Sequence, residues 1–139
     1  MDDFVGTWKL ASAYFVKQST GDRVDVLGAS PFGFFTLDAG GRVLVVMTAD
    51  PAIREAAAGD IAALFKSMIC YTATTTFDSA AGTVSHRVDG AWDPSWVGTE
   101  QKRHFTFDGD VLSLRTTPLR HPSFPDDDVV GYVDWTREL

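Results

Sequence analysis

The chain has 139 residues, a net charge of −7, and 45% hydrophobic against 22% charged residues. That length fits one domain spanning residues 1–139, and that balance excludes wholesale disorder. The densest basic run is Lys102-Arg103-His104, so neither nucleic acid nor an anionic membrane is an expected partner, because phosphate binding needs a clustered basic surface.

The opening Met1-Asp2-Asp3-Phe4 carries acids where a secretory signal carries lysines, and no apolar segment follows it. No apolar run approaches the roughly 20 residues that span a bilayer, so the chain is expected to be soluble and cytoplasmic. Alternation predicts a first strand over 5–16, ended by the Ser19-Thr20-Gly21-Asp22 turn, and a short second one over 23–27. Segments 33–37 and 42–48 form a hairpin about Asp38-Ala39-Gly40-Gly41. The pattern then changes. Asp50-Pro51 reads as an N-cap with proline at the first helical position, followed by one or two turns over 52–58 and a break at Gly59. Asp60 caps a more substantial helix running to about residue 69, with Ile61, Leu64, Phe65 and Met68 on one apolar face. Cys70, the only cysteine, falls at its end; it has no intrachain disulfide partner and reads as core rather than nucleophile.

Strands resume over 71–77 and 83–91, joined through Asp78-Ser79-Ala80-Ala81-Gly82, and over 100–107 and 111–116, joined through Asp108-Gly109-Asp110. A proline-bearing loop over 118–128 leads to a closing strand over 129–137. The fold class is all-β: a sandwich or an up-and-down antiparallel barrel of about 8–10 strands, with one helix between the fourth and fifth.

The two ends of the chain choose between them. Gly6-Thr7-Trp8 opens the first strand and Trp135-Thr136-Arg137 ends the last. This pairing resembles the lipocalin-type signature, in which an arginine near the C-terminus covers a glycine-x-tryptophan at the barrel base. A guanidinium can stack on an indole while its donors reach backbone carbonyls. Between them, Pro94-Ser95-Trp96-Val97-Gly98-Thr99-Glu100-Gln101-Lys102-Arg103 is similar to the proline-x-tryptophan-x-glycine-x-x-glutamine-x-arginine stretch of the bacterial and fungal lipocalin-like domain family. Thr83-Val84-Ser85-His86, Pro31-Phe32-Gly33 and Phe107-Asp108-Gly109-Asp110 match as well. The resemblance runs from Val5 to Arg137 and implies a calycin-type barrel holding a small apolar molecule. Some related barrels serve natural-product pathways, as binding proteins or as cofactor-free cyclases and isomerases. Secretory lipocalins carry a signal peptide and a disulfide, which are not read here, and haem-binding relatives use a histidine near the C-terminus, whereas none follows His121.

Strand parity sorts the polar residues. Val84, His86 and Val88 share a face opposite Ser85, Arg87 and Asp89, so His86 is expected inside. Phe105 and Phe107 mark the inner face of the next strand and bring Gln101 and Arg103 inward, provided that no bulge interrupts 100–107. Tyr71 shares its face with Ala73, Thr75 and Phe77. Tyr71, His86, Gln101 and Arg103 thus form one polar cluster in an apolar cup. As catalytic residues, His86 or Tyr71 would shift a proton and Arg103 would stabilise an oxyanion. In the plainer reading, Gln101, Asp134 or backbone carbonyls satisfy Arg103, and His86 is a core residue. Gln101, Phe105, Phe35, Tyr14, Trp96 and Trp92 are the ligand-lining candidates, although aromatics also fill cores. Trp8 is assigned to the floor.

His86, His104 and His121 fall on different elements and faces, so no metal site is expected, and no cofactor motif is present. Asp126-Asp127-Asp128 reads as a solvated run. Three readings remain: binding of a small hydrophobic molecule, such as an intermediate of specialised metabolism; cofactor-independent isomerisation or cyclisation of one; or a filled barrel acting through its surface in a complex. A homodimer stays open.

Overall fold

The computed structural model describes residues 2–121 and 124–138. In chain order the elements are β1 (Gly6–Lys17), β2 (Arg23–Val24), β3 (Phe32–Leu37), β4 (Arg42–Thr48), α1 (Pro51–Ala56), α2 (Ile61–Lys66), β5 (Met68–Asp78), β6 (Thr83–Ala91), β7 (Glu100–Asp108), β8 (Val111–Arg115), β9 (Leu119–His121) and β10 (Phe124–Arg137). Eight strands close a ring in the order β1-β3-β4-β5-β6-β7-β8-β10, sealed by an antiparallel β1–β10 ladder, while β2 and β9 are short additions to β1 and β10. Closure leaves the ring without a free edge. Alternation drives it: in β4, Val43, Val45 and Met47 are buried, while Leu44 and Val46 between them face out.

The hairpin turns at 38–41, 79–82 and 109–110 gather at one end, with a single 3-10 turn over Asp2–Phe4. Phe4 plugs that end: its ring lies 4.7 Å from Phe77, 4.9 Å from Phe105 and 5.0 Å from Phe107. Trp8 is fully buried beside it and donates from Nε1 to the Phe4 carbonyl at 3.0 Å. Arg137 covers the indole with its Cζ 4.2 Å from the ring centre, and donates to the Val5 and Asp3 carbonyls. Gly6, at φ +133°, holds a backbone conformation that L side chains rarely adopt. Arg137→Lys keeps the charge but loses the planar stack, and should lower stability by about 1–2 kcal/mol in urea unfolding. An unchanged midpoint would show that the stack contributes nothing.

The longer connections, carrying β2, both helices and the 92–99 loop, gather at the opposite end. Asp50 caps α1 by accepting from Ala52 N at 2.9 Å, and Asp60 caps α2 by accepting from Ala63 N at 3.1 Å. Arg54 ties the two together through the Leu64 carbonyl and the Ser67 hydroxyl.

Three expected boundaries are corrected. The helix from Asp60 ends at Lys66, because Met68 and Cys70 enter the ladder opposite Thr48 and Val46, and its apolar face is largely solvated, with Ile61 85% exposed. The strand over 23–27 shrinks to Arg23–Val24, and Leu27 turns into the core. The expected loop over 118–128 holds β9 and the start of β10, with residues 122 and 123 outside the described residues. No helix among the described residues is long and apolar enough to cross a membrane.

Candidate functional site: a cavity inside the barrel

The inward side chains nearer the end with the long connections enclose a cavity of about 450 Å³. Its walls are largely aliphatic and aromatic, with Met47, Ile69, Leu114, Val133 and Trp135 among them. Tyr71 from β5, His86 from β6, and Gln101 and Arg103 from β7 all line it, as strand parity requires. His86 stands opposite Thr75 on one side and Gln101 on the other. The register between Glu100 and Asp108 has no bulge, so nothing turns Gln101 and Arg103 outward.

Thr75 Oγ1 lies 3.0 Å from His86 Nδ1, and the Tyr71 ring packs 6.3 Å from the imidazole and 5.5 Å from the Trp96 indole. Arg103 donates from Nη2 to Gln101 Oε1 at 3.0 Å and from Nη1 to the Lys102 carbonyl at 2.8 Å. Asp134 is engaged elsewhere, accepting from the hydroxyls of Ser12 and Ser113. Burial pushes the His86 imidazole down to about 4, helped by the positive charge of Arg103. Burial likewise raises the Tyr71 phenol to about 12, against the opposing pull of Arg103. Both groups are neutral at physiological pH.

The geometry is that of a small-molecule cup, and the family follows from the sequence as a whole. The family model for lipocalin-like domains matches residues 5–137. The chain belongs to the lipocalin-like domain family. No curated protein matches it.

Within this lipocalin-like barrel, the stretch from Pro94 to Arg103 is a relay that positions the guanidinium. Asp93 caps a 3-10 turn over Pro94–Trp96 by accepting from Ser95 N and Oγ. Gly98, at φ +87°, lets the chain return so that its N–H reaches the Val88 carbonyl at 2.8 Å. Thr99 Oγ1 donates to the Trp96 carbonyl and accepts from Gln101 Nε2, and Gln101 Oε1 in turn holds Arg103. The turn thus sets the height and direction of Arg103 in the cavity.

The remaining candidates divide. Trp96 lines the cavity. Trp92 instead pins the 92–99 loop to α2, donating from Nε1 to the Phe65 carbonyl at 3.1 Å and packing on Trp96. Phe35 lies deeper, lining a recess of about 30 Å³ with Tyr71, His86 and Trp135, and stacks on Trp8. Phe105 stands in the floor against Phe4. Tyr14 borders the cavity, but its ring stacks on Tyr132 and carries the Arg23 guanidinium 3.9 Å from its centre. A bulge between Leu10 and Ser12 shifts the parity of β1, and Ala13 becomes the buried neighbour instead. His104 alternates to the face of β7 opposite Arg103, and the side chain of His121 lies outside the described residues. Sequence reasoning missed Trp135 as a wall residue, having used it only to mark the end of the last strand. Its alternation with Val133 in β10 was the available signal.

Proposed function

We infer that the barrel binds a small hydrophobic molecule, and that its ligand is an intermediate of specialised metabolism. The observation that carries the binding reading is the apolar cavity of about 450 Å³, within the usual size range of small-molecule sites. Membership of the lipocalin-like family supports a ligand-binding barrel in general, and the choice of metabolic class rests on the resemblance to barrels that serve natural-product pathways.

Isomerisation or cyclisation is the second reading, favoured by the convergence of Tyr71, His86 and Arg103 on one space. It is weaker on physical grounds. An efficient proton shuttle titrates near the working pH, whereas His86 sits at about 4 and Tyr71 at about 12. These neutral groups are suited to holding a ligand by hydrogen bonds. Native mass spectrometry of freshly purified protein should show a co-purified small molecule, released on denaturation. Protein that is empty, and that takes up no apolar compound from a solvent-soluble library, would end the binding reading. Conversion of a bound compound would promote the enzyme instead.

A further inference from the structure

The cavity has a polarity opposite to that of the protein around it. None of the chain's 19 aspartates and glutamates lines it, while two cations do: Arg103 from the wall and Lys66 from the end of α2. Among the described residues, the ion pairs are Arg23–Asp25, Arg42–Asp89 and Arg120–Asp128, so Arg103 has no carboxylate partner. Two of its five N–H donors reach neutral acceptors, Gln101 Oε1 and the Lys102 carbonyl, and the others have none among the described residues. A guanidinium held this way beside apolar walls bears an uncompensated desolvation cost.

Two other lining residues carry donors, beside the neutral His86 imidazole and the hydroxyls of Tyr14, Thr116 and Tyr132. The Tyr71 hydroxyl makes no hydrogen bond among the described residues and is protonated at neutral pH. Trp135 is 3% exposed, lines both the cavity and its recess, and its Nε1 is buried with no acceptor among the described residues. An indole N–H can only donate. Such a set of donors asks for a ligand that brings acceptors and negative charge.

We propose that the ligand is an apolar carboxylic acid, its carboxylate held by Arg103 with the Tyr71 hydroxyl. This rests on the binding reading above and narrows it to one chemical class. The Gln101–Thr99–Trp96 relay has a purpose on this view: it fixes the guanidinium through neutral acceptors and leaves its charge for the ligand. The apolar walls supply affinity, and the acid end supplies selection and orientation.

Three probes of one chain length separate the possibilities: decanoate, methyl decanoate and decanol, titrated at pH 7.5 (roughly three units above an ordinary carboxyl pKa) with tryptophan fluorescence and calorimetry. Decanoate should bind roughly 10- to 100-fold more tightly than the ester or the alcohol, the range expected for charged hydrogen bonds. Arg103→Met should erase that preference, bringing decanoate to the affinity of the ester and the alcohol measured on the same variant. The comparison of probes on the parent protein holds whether or not the variant folds. In a nitrogen–proton correlation spectrum, the indole resonance that disappears in Trp135→Phe should shift on adding decanoate to the parent. Equal affinity for all three probes would overturn the acid proposal and leave the binding reading standing. Failure of all three to bind would overturn both.

Discussion

Replacing Trp8 by alanine should remove about 3–5 kcal/mol of stability, the cost of deleting a fully buried indole. It should be the most damaging single change at the closed end. The indole is the meeting point of that end: it bonds the Phe4 carbonyl, stacks on Phe35 and carries Arg137. Native domains are stable by only about 5–15 kcal/mol, so the variant should sit close to its unfolding threshold. Urea unfolding followed by far-ultraviolet circular dichroism gives the measurement. A loss below about 1 kcal/mol, well under the usual range for a large aromatic, would mean that Phe4 and Arg137 close the floor without the indole.

Acid should unfold the protein partly through one imidazole. His86 takes a proton near 4 in the folded barrel, and near its ordinary 6.5 once the chain unfolds. Between those values the unfolded chain binds the proton and the folded one does not, so stability falls as pH drops from about 6.5 to about 4. The full shift corresponds to about 3 kcal/mol. His86→Gln cannot titrate and still offers Thr75 a hydrogen-bonding partner. Unfolding free energies at a series of pH values should therefore show a difference between parent and variant that shrinks by about 3 kcal/mol across that window. Parallel curves would place the titrating group elsewhere.

The inner polar cluster was legible from sequence because β6 and β7 obey simple alternation where it matters. Val84, His86 and Val88 are all buried, and Gln101 and Arg103 follow the phenylalanines inward. The β6 irregularity, near Asp89 and Gly90 opposite Thr72 and Ala73, lies beyond His86 and leaves its direction intact. Tyr14 shows the limit. Without the bulge after Leu10 it would share a face with Trp8 and point inward, and no residue in that stretch announces the extra step. The helix ending at Lys66 fails for a different reason. Ile61, Leu64, Phe65 and Met68 have helical spacing, yet Met68 gains ladder hydrogen bonds by pairing with Thr48, and that tertiary alternative is invisible to local periodicity. Trp135 was overlooked because its motif value as a neighbour of Arg137 concealed its own direction. The residue with an unmet hydrogen bond was hidden behind the one with a recognised role.

The seam between β1 and β10 also governs how the barrel comes into being. Its partners, Trp8 with Arg137 through Lys17 with Val129, are separated by most of the chain, whereas the other ring ladders join strands that are neighbours in sequence or nearly so. Hairpins can form early from local contacts, but the ring stays open until its first and last strands meet, at the entropic cost of closing a very long loop. Until then both seam strands present unpaired backbone edges, and the cavity has no complete wall. During synthesis the closing strand is the last to emerge, so capacity to hold a ligand arises in one late step rather than accumulating strand by strand.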